Sequence, residues 1–86
     1  MTYNFPETIF TKRNTVRVQA MHICSEAIEF LKEISCEDMD KADIEAADMY
    51  HSLETYFRIR ENEGVDLGAV FGAVIRKNEE RGYYKT

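Results

Sequence analysis

Apolar residues recur at three- and four-residue intervals between positions 14 and 34, and this periodicity predicts an amphipathic helix. The apolar stripe consists of Val16, Ala20, Ile23, Cys24, Ala27, Leu31 and Ile34. Asn14 or Thr15 is suited to cap the first turn. A second stripe, well away from the apolar one, consists of His22, Glu26, Glu29 and Glu33. The helix is therefore predicted to have one core face and one face that is either exposed to water or part of a site.

A second helix is predicted over residues 39–63, after a short polar turn. Its apolar residues are spread round most of the circumference, which is typical of a central helix contacted on several sides. Glu45, Asp48 and Ser52 form a narrow polar strip on this helix. Because this strip is flanked by apolar residues, its acids are harder to explain as ordinary solvent-facing surface.

A third helix is predicted over residues 67–80, with Gly64 ending the preceding helix in a left-handed conformation and Asp66 as the N-cap. Residues 1–13 contain the only proline and are predicted to form an irregular arm. The sequence has no alternating strand pattern and no internal repeat. We therefore predict an all-α fold in which residues 1–86 form a single domain, a small bundle of three main helices.

Size and composition indicate that this bundle is completed by another copy of the chain. A chain of 86 residues buries only about 60% of the surface that its unfolded form exposes, so its own core is small. Nevertheless, 44% of its residues are hydrophobic. A core of this size cannot bury the apolar surface of so many residues. We expect oligomerisation to bury the remaining helix faces.

Charge and cysteine content narrow the range of partners. The formal charge of −5 argues against a nucleic-acid partner, because contact with a phosphate backbone requires a basic surface. No apolar run approaches the roughly 20 residues that span a bilayer, and the N-terminus lacks the apolar segment of a signal peptide, so we expect no membrane association. Cys24 lies on the apolar stripe and is expected to be a buried, reduced thiol. These features favour a cytoplasmic protein.

Two pairs of acidic residues with the same spacing are the strongest functional signal. Glu26 and Glu29 share one side of the first long helix, and Glu45 and Asp48 share one side of the second. If the two helices pack side by side, four carboxylates converge, and their repulsion requires either splaying into solvent or a bound cation. Three other pairs have the same spacing by chance: Glu37/Asp40, Asp40/Asp43 and Glu63/Asp66. These lie in connections or at helix ends, whereas the two chosen pairs lie among apolar residues, which favours a metal site.

A basic cluster follows the acidic middle of the chain. Lys77, Asn78 and Arg81 occupy neighbouring positions near the end of the third predicted helix. Arginine offers phosphate oxygens a planar fork of donors and lysine a point charge, so these residues are candidates for binding phosphate. Basic residues at a helix C-terminus also complement the helix dipole, which would explain one or two of them without a ligand. Tyr83 and Tyr84 are candidates for stacking on a nucleobase, and a frayed tail is the alternative.

Taken in order, three short motifs resemble those of the MazG-like nucleotide pyrophosphohydrolases. They are Ser25-Glu26-x-x-Glu29, Glu45-Ala-Ala-Asp48 and Lys77-Asn78-x-x-Arg81. The signature of that family is E-E-x-x-E followed at a variable distance by E-x-x-D. Each motif is short, but their order and spacing together are fairly specific, and the resemblance covers roughly residues 20–84.

The resemblance implies an all-α enzyme that hydrolyses nucleoside triphosphates between the α- and β-phosphates. The products would be a nucleoside monophosphate and pyrophosphate. It further implies that Glu26, Glu29, Glu45 and Asp48 hold Mg²⁺, or Mn²⁺ in its place. We predict Glu29 and Glu45 as the catalytic carboxylates, with the other two carboxylates and Glu33, one turn beyond Glu29, as alternatives for the general base.

The resemblance also implies a substrate-binding end and an oligomeric state. Lys77, Asn78 and Arg81 would contact the phosphates, and Tyr84 would lie beside the base. The active unit of the family is usually a homodimer or a dimer of dimers, which agrees with the oligomer expected from the apolar content.

One position departs from the family signature, because Ser25 stands where the family has the first glutamate of its doublet. A serine supplies no charge, so metal number, metal affinity and activity itself are open. There are two alternative functions. The first is that of a phosphoribosyl-ATP pyrophosphohydrolase, because that enzyme shares the acidic pattern and has a similar length. The second is that of a non-catalytic helical dimer, a relative without activity that binds or regulates another protein. The sequence does not determine which base or sugar is preferred.

Overall fold

The computed structural model describes residues 1–85, and within them the chain forms four helices. These are α1 (Phe10–Arg13), α2 (Val16–Ser35), α3 (Met39–Asn62) and α4 (Leu67–Glu80). The all-α prediction is confirmed, and the three long helices begin and end within two residues of the predicted positions. No helix in this part of the chain is both long enough and apolar enough to cross a membrane.

The helix ends follow the capping residues in the sequence. The Thr15 hydroxyl accepts the backbone N–H of Val18 at 3.1 Å, and the Asp66 carboxylate accepts that of Ala69 at 3.1 Å. Each bond satisfies one of the backbone donors that have no partner within the first helical turn. Gly64 has a φ of 92°, the left-handed conformation predicted for the end of α3.

The N-terminal arm is more ordered than predicted. Residues 1–9 are irregular, but α1 forms one helical turn at the end of the segment that was expected to be irregular throughout. Backbone hydrogen bonds from Thr11 to Thr8 and from Asn14 to Phe10 hold this turn. A single turn is too short to produce a hydrophobic period, so the sequence pattern does not reveal it.

Helices α2 and α3 form a hairpin, joined by a three-residue turn in which Glu37 has a φ of 58°. The side of α2 that faces α3 mixes polar residues with half-buried apolar ones such as Ile23 and Phe30. Gln19 is almost fully buried there, and its amide donates to the Ser52 carbonyl at 2.9 Å. Glu26 lies on the same side, close to acidic residues of α3.

The apolar stripe of α2 is only partly buried in the single chain, because Val16, Ile23 and Ala27 are half-buried whereas its other members are exposed. Leu31 of the stripe forms an apolar outer face with the neighbouring Met21 and Ile28, and each of these three residues is more than 60% exposed. Cys24 is also exposed, so the prediction of a buried thiol is wrong for the single chain. The periodic pattern distinguishes two faces of a helix, but it does not specify which of them packs against α3.

Helix α4 is anchored only near its start. Leu67 is buried, and the Phe71 ring lies edge-on to the Phe57 ring of α3 with centroids 5.1 Å apart. Further along, Val70, Val74 and Ile75 are exposed on α4.

The single chain is more extended than a domain of its size usually is. Its radius of gyration is 15.0 Å, whereas a compact domain of this length has about 12 Å. Its accessible surface is 6510 Å², whereas a folded protein of this mass exposes about 5,300 Å². Among residues 1–85, the buried hydrophobic residues are Ala42, Ile59 and Leu67. None of them belongs to the α2 stripe, so the core predicted from that stripe is only partly formed within one chain.

Candidate metal centre

Three carboxylates converge where α2 packs on α3, and we call them the acidic centre. They belong to Glu26, Glu45 and Asp48, and one oxygen of each lies within 4.8 Å of the others. Glu26 and Glu45 are half-buried and Asp48 is exposed. The i, i+3 spacing on α3 places Glu45 and Asp48 on one side of that helix, and the hairpin brings Glu26 to them. Three of the four predicted metal ligands are thus brought together.

The acidic centre carries electrostatic repulsion. Partial burial, followed by repulsion from Asp48, Glu26 and Glu29, raises the pKa of Glu45 above its usual value. Among residues 1–85, neither Glu45 nor Asp48 has a basic partner within ion-pair distance. Glu26 has only His22, whose Nε2 lies 3.2 Å from its carboxylate. Most of the negative charge is therefore uncompensated by the protein.

The donor set fits a small, hard cation. Ligands about 2.1 Å from an octahedral Mg²⁺ are roughly 3.0 Å apart when adjacent and 4.2 Å apart when opposite. The three oxygens here already lie within 4.8 Å, so small rotations of partly exposed side chains bring them into such a shell. Carboxylate oxygens are the ligands that Mg²⁺ and Mn²⁺ prefer, and water completes the shell in partly exposed sites.

Glu29, the fourth predicted ligand, lies outside this group of three. Its side chain is exposed on α2, one turn after Glu26. It is nevertheless near enough to contribute to the raised pKa of Glu45, as is the half-buried Glu33. Glu29 therefore lies at the edge of the centre rather than within it.

The predicted substrate-binding residues of the C-terminal region lie elsewhere in the single chain. Lys77 is exposed and lines a shallow groove formed by residues of α4 itself. The Asn78 carbonyl accepts the backbone N–H of Tyr83, and Arg81 lies 5.8 Å from the centre of the Tyr83 ring. Tyr84 is exposed. None of these residues lines the cavity beside the acidic centre.

Ser25 does not face the acidic centre. Its side chain is exposed, and its hydroxyl donates to the Met21 carbonyl one turn earlier in α2, at 3.2 Å. The hydrogen-bonding capacity of the serine is thus used within its own helix. The residue that departs from the family signature adds no ligand to the three carboxylates.

Sequence reasoning did not reveal a cavity of about 160 Å³ next to the acidic centre, which we call the arm cavity. It lies between the N-terminal arm, α1, α2 and α3. Its walls are formed by Thr8, Phe10, Gln19, His22, Glu26, Asp48, His51, Ser52 and Thr55. Two of the three carboxylates of the acidic centre are therefore also part of the cavity wall. No pattern in the sequence indicates this cavity, because its walls come from residues far apart along the chain.

The arm is held in place by buried polar contacts with α3. The Glu54 carboxylate, only 5% exposed, accepts the backbone N–H of Asn4 at 2.8 Å and that of Phe5 at 2.9 Å. The Arg58 guanidinium donates to the Phe5 carbonyl at 2.7 Å and lies 4.2 Å from the centre of the Tyr3 ring. Charge-assisted bonds of this kind are among the stronger hydrogen bonds in proteins, so the arm forms a fixed wall.

Comparisons with protein-family models, with curated proteins and with solved structures gave no match.

Proposed function

We propose that the protein is a Mg²⁺-dependent hydrolase of nucleoside triphosphates, which releases a nucleoside monophosphate and pyrophosphate. The observation that carries this proposal is the convergence of Glu26, Glu45 and Asp48 at the α2–α3 interface. Among residues 1–85, the three carboxylates have only His22 at ion-pair distance, so their mutual repulsion would be relieved by a bound cation. The motif resemblance supplies the reaction type.

In this proposal, Glu26, Glu45 and Asp48 hold the metal, and Glu29 contributes from the edge. Mg²⁺ held there would neutralise phosphate charge and make the phosphorus easier to attack. A carboxylate of this centre would accept a proton from the attacking water, and Glu45 is the first candidate because it lies among the three converging side chains. Glu29 is the second candidate for this role.

The active form we propose is a homodimer or homotetramer. The exposed face of α2 formed by Met21, Ile28 and Leu31 is apolar, and the chain exposes about 1,200 Å² more surface than its mass predicts. A stable interface buries about 800 Å² on each partner, so a second copy would account for most of this excess.

A second copy would also complete the proposed site. Lys77, Asn78, Arg81 and Tyr84 do not line the arm cavity of their own chain. The proposal therefore requires that α4 of one copy approaches the acidic centre of another, where Lys77 and Arg81 would stabilise charge on the leaving pyrophosphate. We also propose a cytoplasmic location, where nucleoside triphosphates are abundant and where free thiols such as Cys24 and Cys36 persist.

One observation favours a second candidate, a non-catalytic helical dimer that binds another protein. Ser25 bonds within its own helix and leaves the acidic centre with three carboxylates close together. In that case, the apolar faces of α2 and α4 would be the functional surfaces.

The test is ³¹P NMR of the purified protein with Mg²⁺ and a panel of nucleoside triphosphates together with phosphoribosyl-ATP. Pyrophosphate and a monophosphate as products support the proposal, and a strong preference for phosphoribosyl-ATP would identify the related activity instead. Release of orthophosphate would contradict cleavage between the α- and β-phosphates. No turnover with either Mg²⁺ or Mn²⁺ would favour the binding protein.

A further inference from the structure

His22 lies beside the acidic centre and is not among the ligands of the proposed site. Its Nε2 atom is 3.2 Å from a carboxylate oxygen of Glu26, which follows four residues later on α2. His22, Glu26 and Asp48 all line the arm cavity. An imidazole is therefore available at the edge of the three carboxylates.

The spacing of His22 and Glu26 suits two ligands of one metal ion. Residues four apart project from one side of a helix, and helical zinc motifs use two histidines at this spacing to bind a single ion. Adjacent ligands about 2.1 Å from an octahedral ion are about 3.0 Å apart, close to the 3.2 Å between the His22 nitrogen and the Glu26 oxygen. The two side chains thus need little movement relative to each other to share an ion.

The contact differs from an ordinary ion pair on a helix surface, because its acid is also part of the acidic centre. One Glu26 oxygen lies within 4.8 Å of an oxygen of Glu45 and one of Asp48. His22 is not one of these three converging groups, so its side chain must rotate to bring Nε2 closer to Glu45 and Asp48. The side chain is 46% exposed and has room for this rotation.

An imidazole changes which ions the acidic centre favours. Mg²⁺ prefers oxygen ligands, whereas imidazole nitrogen suits divalent transition-metal ions. Three carboxylates together with one imidazole are therefore a better donor set for a transition-metal ion than for Mg²⁺. The three carboxylates alone remain a suitable set for Mg²⁺, so the imidazole affects selectivity rather than the existence of the site.

We propose that His22 is a fourth ligand of the acidic centre and that its nitrogen makes the centre select a divalent transition-metal ion over Mg²⁺. This inference rests on the proposed function, because it identifies the class of metal at the same site. The imidazole acts in its neutral form, with the proton on Nδ1 and the lone pair of Nε2 directed at the ion. Metal selectivity is thereby assigned to one exposed residue of α2.

A nitrogen ligand can be identified by spectroscopy, because the chain contains two histidines. The whole chain, first freed of metal, is loaded with less than one equivalent of Mn²⁺, and electron spin echo envelope modulation detects the ¹⁴N nucleus of a bound imidazole. We expect this signal in the parent and its loss in His22→Gln. His51→Phe is the matched control and should keep the signal. His51 lines the same cavity, and phenylalanine retains an aromatic ring against Phe5.

Calorimetric titrations with Mn²⁺ and with Mg²⁺ measure the selectivity. We expect the parent to bind Mn²⁺ at least about tenfold more tightly than Mg²⁺. His22→Gln should lose at least about tenfold in Mn²⁺ affinity, since even the outer-shell partners of metal ligands contribute about 10–100-fold, and should keep its Mg²⁺ affinity within about twofold. Because His22 is exposed, the variant should keep the circular dichroism spectrum of the parent.

Four results would overturn the inference. They are a parent without the ¹⁴N signal, a His22→Gln variant that retains it, Mn²⁺ bound no more tightly than Mg²⁺, and an equal loss of affinity for both ions in His22→Gln. These results are distinguishable from failure of the proposed function. Triphosphate hydrolysis by a protein without the nitrogen signal would retain the function and refute the inference, whereas imidazole-bound Mn²⁺ without turnover would do the reverse.

Discussion

The side of α2 that faces α3 carries Gln19 and Glu26, whereas the side that faces away carries Met21, Ile28 and Leu31. In an isolated soluble domain, the apolar side of a helix normally packs inwards and the polar side meets water. Here the side that faces α3 is mixed, with half-buried Ile23 and Phe30 beside Gln19 and Glu26, and the exposed side is partly apolar. We propose that the inward side binds a cation among its carboxylates and that the outward side packs against a second copy of the chain.

The metal site proposed for the inward side of α2 is tested most directly by Asp48→Asn. This substitution removes one charge from the acidic centre while keeping the shape of the side chain. If this centre holds the catalytic metal, nucleoside triphosphate hydrolysis should fall by about 10²–10³-fold, comparable to the loss of one key electrostatic group in other enzymes. Steady-state pyrophosphate release measures this change. Asp43→Asn, also exposed on α3 but outside the centre, should retain activity, and equal activity of the two variants would contradict the assignment.

The interface proposed for the outward side of α2 is tested by Leu31→Glu, which introduces a charge into the apolar face. In a symmetric dimer each substitution occurs twice at the interface, so we expect the dissociation constant for self-association to rise by about 100-fold or more. Sedimentation velocity measures the shift from oligomer to monomer. Lys12→Glu, an exposed charge change on α1, is the control. Identical sedimentation of the two variants and the parent would show that this face is not the interface.

Activity at the acidic centre depends on oligomerisation if α4 of one copy binds substrate at the acidic centre of another copy. Glu45→Gln and Arg81→Ala should each be inactive alone. After the two variants are mixed and allowed to exchange subunits, about a quarter of the parental activity should return, because half of the dimers then contain one intact site. A mixture that remains inactive after verified exchange would place both residues in the site of a single chain.

The smallest expected effect concerns stability in metal-free buffer. The pKa of Glu45 is raised above 4.5 by burial and acidic neighbours, so the folded state binds more protons than the unfolded state between 4.5 and the raised value. Stability should therefore fall as the pH rises through that interval and remain reduced at neutral pH. Glu45→Gln should raise the melting temperature at neutral pH by a few degrees and weaken this pH dependence. Thermal unfolding between pH 4 and pH 8 measures both, with Glu7→Gln in the exposed part of the arm as the control.

Much of the fold could be predicted because it depends on local signals. Thr15, Gly64 and Asp66 act within a few residues of their own positions, and their roles follow from their side chains and φ preferences. The i, i+3 spacing of Glu45 and Asp48 is also local, and it correctly placed them on one side of α3. For these reasons, the helix ends and most of the acidic centre could be located in advance.

The remaining features depend on contacts between residues far apart in the sequence. The bond from Asn4 to Glu54 joins residues 50 positions apart, and no periodicity predicts such a pair. The arm cavity exists only because of these contacts. Likewise, the burial predicted for Cys24 was wrong because α3 packs against the face of α2 that carries Gln19, Ile23 and Glu26, a choice that the pattern of a single helix does not contain.

The account depends above all on the acidic centre being a metal site, and isothermal titration calorimetry with Mg²⁺ tests this most directly. The parent protein is compared with the double variant Glu45→Gln/Asp48→Asn, both first freed of metal with EDTA and dialysed. The account predicts saturable binding to the parent that the double variant loses, while its circular dichroism spectrum stays helical. Binding of Mg²⁺ that is equal in the two proteins, or absent from both, would contradict it.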